Sequence, residues 1–84
     1  MDSMSGRARL ARNNINILST DLWDTGEACV TFEFQYRLPT GAPVWRKTFG
    51  VYIARETAII EGILDDVRAL RRELENGTEE KQAD

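Results

Sequence analysis

A chain of 84 residues is enough for one domain, and a domain this small buries only about 60–65% of the surface its unfolded chain exposes, so a partner subunit is a common source of added stability. With 42% hydrophobic and 30% charged residues, the chain is too apolar to be disordered. Its net charge of −3, from 11 basic and 14 acidic residues, excludes a global attraction to nucleic acid or anionic membrane and is too mild for a nucleic-acid mimic.

Residues 1–12, "MDSMSGRARLAR", are small, polar and Arg-rich and are expected to form a flexible arm carrying Arg7, Arg9 and Arg12. Ile15 and Ile17 then begin an alternation that Leu18 breaks, which predicts a first strand over about 14–21. "DTGE", 24–27, has the residues of a tight turn. The second strand is the clearest element. Val30, Phe32, Phe34, Tyr36 and Leu38 fall on one face, and Cys29, Thr31, Glu33, Gln35 and Arg37 on the other. "PTGAP", 39–43, is a hairpin tip, since proline cannot donate to a ladder and Gly41 tolerates a positive φ. In the third strand, about 44–53, the apolar residues Trp45, Phe49, Val51 and Ile53 are assigned to the core, with Lys47 interrupting. Arg46, Thr48, Gly50 and Tyr52 are assigned to the opposite face.

From residue 54 the period changes. Ile60, Ile63, Val67, Leu70 and Leu74 recur at spacings of three and four, flanked by Ile59 and Leu64, which is the apolar stripe of an amphipathic helix. Asn76-Gly77 is a stop signal, and 77–84 reads as a polar, flexible tail. The expectation is therefore an α+β domain over 13–76: a three-stranded antiparallel meander covered on one face by a C-terminal helix, β-β-β-α. One helix covers one face only, so the second sheet face is solvated or is an interface.

Little in the chain suggests catalysis. There is no histidine, hence no Ser-His-Asp or Cys-His pair and no His metal ligand. The glycine-containing turns lack the spacing and the lysine of a phosphate loop. Asp65 and Asp66 diverge by ~100° on a helix and do not share a site. Cys29, the only cysteine, cannot form an intrachain disulfide and has no cation near it in sequence, so it reads as an inert small residue. Trp23 and Trp45 read as core or rim anchors. No enzyme, cofactor or metal is expected. There is no apolar run of ~18 residues and no N-terminal signal core, so no membrane partner is expected and the cytoplasm is the default location.

Two surfaces remain as candidates for interaction. The first is the outer sheet face, assigned Thr31, Glu33, Gln35, Arg37, Arg46, Thr48 and Tyr52. The second is a strip on the helix, Ala58, Gly62 and Ala69, placed opposite the apolar stripe, where a glycine would admit another backbone closely. The expected function is a small non-enzymatic protein–protein interaction module, acting as a homodimer or as a subunit of a larger assembly. Short chains of this kind occur among phage and prophage accessory and regulatory proteins.

The alternative is nucleic-acid binding. "YRLPTGAPVWRKTFGVYIARETA" resembles the three-stranded arm-type DNA-binding domains of tyrosine recombinases: a hairpin with a glycine at its tip, basic residues on the third strand, a Phe-Gly segment, and a helix that opens with a Glu near an Ala. The matching positions are Arg37, Gly41, Arg46, Lys47, Phe49, Glu56 and Ala58. The resemblance spans strands two and three and the start of the helix. It implies that the outer sheet face and the basic arm contact DNA. Glu33 on that face, and Lys47 on the core side by alternation, depart from the pattern.

Overall fold

Two hairpins built on the same three-residue loop organise the chain. The computed structural model describes residues 6–76. In chain order these form α1 (Gly6–Arg12), β1 (Ile15–Leu22), β2 (Glu27–Arg37), β3 (Pro43–Ile53) and α2 (Glu56–Glu75). The strands make one antiparallel sheet in the order β1-β2-β3. This is the expected α+β meander with a C-terminal helix on one face, and α1 is added to it.

Asp24-Thr25-Gly26 and Pro39-Thr40-Gly41 close in the same way. The Trp23 N–H donates to Glu27 O (2.8 Å) and the Gly26 N–H to Trp23 O (3.2 Å). In the second loop Leu38 N–H donates to Ala42 O (2.8 Å) and Gly41 N–H to Leu38 O (2.7 Å). Gly26 and Gly41 have φ of 90° and 95°, which a side chain would resist. An odd-length loop fixes the parity of the strands it joins. Across β2 and β3, Phe34 faces Arg46, Phe32 faces Thr48, Val30 faces Gly50 and Ala28 faces Tyr52, with no shift along the ladder.

Residues directly opposite in a ladder share a sheet face. Arg46, Thr48, Gly50 and Tyr52 therefore lie on the helix side with Phe32 and Phe34, and Trp45, Phe49, Val51 and Ile53 lie outside. This reverses the expected assignment of β3. The apolar character of its odd positions suggested burial, but the loop sets the register, and changing parity by one residue would turn every β3 side chain over. In β1 the break at Leu18 is a bulge: Ile17 pairs with Phe32 and Ser19 with Thr31. Ile15 and Ile17 thus face the helices before the bulge, as Thr20 and Leu22 do after it.

The core consists of Leu10, Ile15, Ala28, Val30, Phe32, Phe34, Ile60, Ile63 and Val67, each large side chain contributing about 1.5–3 kcal/mol by burial. On α2, Ile60, Ile63 and Val67 face the sheet, with Ile59, Leu64, Leu70 and Leu74 packed at their edges, as the sequence period requires. Glu56 in the first turn and Arg72 in the last complement the helix dipole. Asn76 N–H donates to Arg72 O (3.1 Å) and ends the helix. Arg71 ties three elements together: its Nε donates to Gln35 O (2.8 Å) and its Nη2 to Asn13 O (2.6 Å). Burial lowers the pKa of this guanidinium, while the nearby Glu75 acts in the opposite sense.

Over Gly6–Arg12 the expected arm is instead a helix. Leu10 is buried, and Gly6 lies so close to Ile60 that a Cβ there would come within 2.6 Å of its Cγ1. Arg9 donates to Glu61 on α2 (2.6 Å). Asn14 stops α1 in the left-handed region (φ 61°), a role asparagine fills when glycine is absent. The rest of the arm, 1–5, and the tail, 77–84, lie outside the described residues.

Candidate functional site

With the register known, the outer face of the sheet can be built row by row. From the β1–β2 turn toward the β2–β3 tip, β2 contributes Glu27, Cys29, Thr31, Glu33 and Gln35. Opposite them on β3 stand Ile53, Val51, Phe49, Lys47 and Trp45. On β1, Asp21 lies opposite Cys29, Ser19 opposite Thr31 and Asn16 opposite Glu33. Trp23 continues this face beyond Leu22, and the bulge sets Leu18 beside Ser19 against Thr31.

Along β3 this face is apolar and uncovered, while the central strand β2 is mostly polar on it. Among the described residues, eight large hydrophobics are exposed, and six of them stand here: Leu18, Trp23, Trp45, Phe49, Val51 and Ile53. The other two, Leu22 and Leu38, lie elsewhere. Phe49 is 66% exposed and Ile53 61%. Together the six present on the order of 500 Å² of apolar surface, comparable to the largest patch on a typical monomer, and patches of that size are commonly functional. One polar row crosses it between Phe49 and Trp45, with Asn16 Nδ2 donating to Glu33 Oε2 (3.2 Å) and Lys47 opposite Glu33 in the ladder.

The residues proposed from the sequence divide. Thr31, Glu33 and Gln35 are on this face as expected. Arg37, at the end of β2 opposite Pro43, keeps the parity of this face as expected, and it is engaged at the hairpin: its backbone N–H donates to Glu75 Oε2 (3.1 Å) and its Nη1 to Gly41 O (2.8 Å). Arg46, Thr48 and Tyr52 are on the opposite face, for the reason of parity given above.

Tyr52 is the clearest of these corrections. Its ring crosses Gly50 and packs on Gly62, and its hydroxyl donates to Asp66 Oδ2 (2.6 Å). A Cβ at Gly62 would lie within 2.7 Å of the Tyr52 Cε1, and one at Gly50 within 2.6 Å of its Cζ. Burial raises the Tyr52 pKa, reinforced by the hydrogen bond to Asp66 and by the negative charge there. Both glycines are therefore seats for one aromatic ring. The strip Ala58, Gly62 and Ala69 flanks the sheet-facing stripe instead of lying behind it: Ala58 and Gly62 are half-buried, and Ala69 borders a shallow groove with Phe32, Thr48, Asp66 and Leu70 that Phe49 of the edge strand also lines. No second backbone is needed to explain Gly62.

The sequence reading missed the apolar residues of β3 as surface groups. The signal that finds them is the shared loop, X-Thr-Gly in both hairpins, whose closing pairs fix which positions are opposite. Among the described residues no group of three or more His, Cys, Asp or Glu could hold a metal ion, and no helix is long and apolar enough to cross a membrane.

Comparison with known proteins returned no matching family model, no matching characterised protein and no matching solved structure. The likeness to arm-type DNA-binding domains thus rests on the residue pattern alone.

Proposed function

We propose that this chain is a small non-enzymatic protein–protein interaction module and that the outer face of its sheet is the docking surface. One observation carries the reading: six of the eight exposed large hydrophobics among the described residues gather on that face. Aromatic and branched apolar side chains beside polar ones have the composition of an interface. A solvated sheet face would instead alternate with polar residues.

The geometry favours this reading over nucleic-acid binding. A surface for phosphates needs several cations on one side. Here Lys47 and Arg37 share their face with Asp21, Glu27 and Glu33, Arg37 donates to Gly41 O, Arg46 is on the other face, and Arg9 is paired with Glu61.

Photo-crosslinking in cells tests the proposal. A benzoylphenylalanine in place of Val51 should give discrete protein adducts, and one in place of Glu73, on the exposed side of α2, should give none. Equal labelling from both positions, or none from position 51, would reject it.

A further inference from the structure

We infer that the occupant of this face is a second copy of the chain, packed sheet to sheet about a two-fold axis that runs across the strands. The inference rests on the outer face being a docking surface and adds which partner fits it.

The patch has the right size. Its ~500 Å² of apolar surface with the polar positions Asn16, Ser19, Thr31, Glu33 and Lys47 of the same face approaches the ~800 Å² per partner of a standard interface. Two such sheets stack with strands within about 30° of one another and place both helices outside.

Charge and polarity select the direction of packing. An axis along the strands would set β2 on the partner's β2 in the same sense, opposing Glu27 to its own copy and Glu33 to its own copy. It would also lay Phe49 over Ser19 and Val51 over the charged Asp21, with only Ile53 meeting an apolar partner in its own row, Trp23. An axis across the strands through the row of Phe49 does the reverse. Phe49 meets its own copy, Ile53 meets Trp45, and Val51 meets the aliphatic stem of Lys47. Glu27 meets Gln35, Cys29 meets Glu33, and Asp21 meets Asn16, so no like charges are opposed. The row of Asp21, Cys29 and Val51 then lies over the partner's row of Asn16, Glu33 and Lys47, in which Asn16 and Lys47 flank the single carboxylate.

Sedimentation and light scattering of the purified full-length chain test this. The expected result is a dimer whose dissociation constant rises at least ~30-fold in Phe49→Lys, the fold-change of a central hot spot, with an unchanged circular dichroism spectrum. In a Cys29→Ser background, Phe49→Cys should be joined to its copy by a short bismaleimide, and Glu73→Cys should not. A wild-type chain that stays monomeric overturns the inference, as does a dimer that survives Phe49→Lys and is not joined through position 49. If that monomer still yields adducts of another protein from position 51, only the second copy is rejected and the docking surface stands. If position 51 yields none, both readings fail.

Discussion

The two faces of one sheet carry similar side chains to opposite fates. Phe34, on the helix side, is 0% exposed, while Phe49, three rows away on the neighbouring strand, is 66% exposed. On β2 the apolar positions all point at the helices. On β3, Arg46, Thr48, Gly50 and Tyr52 do, with Val44 at the start of the strand, and Trp45, Phe49, Val51 and Ile53 point away together with Lys47. The hydrophobic pattern of a strand reports which of its faces favours cover. The hairpin loop decides which face receives cover from within the same chain. Where the two disagree, the apolar face is left exposed.

The largest test of this difference is a matched pair of truncations. Phe34→Ala should cost ~3–5 kcal/mol by leaving a cavity in a packed core. Phe49→Ala should change monomer stability by no more than ~0.5 kcal/mol, measured by urea denaturation at chain concentrations too low for association. At higher concentration the Phe49 variant should lose a concentration-dependent part of its stability. Equal costs for the two variants would erase the distinction between the faces. Close behind in size is Leu10→Ala, expected to cost ~2–4 kcal/mol, because α1 closes the helix-side core and Leu10 is buried there. A neutral result would return α1 to the role of a loose arm.

Much of the fold was legible in the sequence, and the reasons are local. The alternation from Val30 to Leu38 and the three-four spacing from Ile60 to Leu74 each have one physical interpretation, and each element formed where its pattern lies. The stretch of α1 offers only Leu10 as a large apolar residue, too little for a period to be seen. Its cap, Asn13-Asn14, was the available signal. The candidate surface was half legible. Thr31, Glu33 and Gln35 follow from β2 alone, but the β3 residues depend on how many residues the tip inserts between closing pairs. Composition does not encode that count, whereas the geometry of a Pro-Thr-Gly loop does. Gly62 was legible as an anomaly and not as a contact, because Tyr52, which explains it, had been given to the other face.

Gly62 gives a test of intermediate size. On an exposed helix surface, Gly→Ala would stabilise by about 1 kcal/mol. With Tyr52 seated on it, Gly62→Ala should destabilise by ~1–3 kcal/mol through overpacking. The sign should reverse in a Tyr52→Ala background, so that a double-mutant cycle by thermal denaturation shows strong coupling. Additive effects would mean that Tyr52 does not rest on the helix, and the assignment of β3 would fall with it.

The smallest expected effect tests the same point without altering packing volume. In the folded chain the Tyr52 phenol is half-buried and donates to Asp66, and its pKa is raised above the value of ~10 expected of an unfolded tyrosine. A raised pKa means that above pH ~9 the folded chain binds more protons than the unfolded one, so stability falls as pH rises. The contribution of Tyr52 is therefore fully present below pH ~10 and is lost as pH climbs through the folded-state value. Tyr52→Phe keeps the ring and removes the proton. Between pH ~9 and ~11 the wild-type chain should lose stability more steeply than Tyr52→Phe, by less than the ~1.4 kcal/mol per pH unit that one proton allows. Lysine and arginine titrate in both proteins and cancel in the difference. Parallel curves would place the Tyr52 hydroxyl in water on the outer face. The apolar positions of β3 would then belong to the core, and the exposed patch would have no basis.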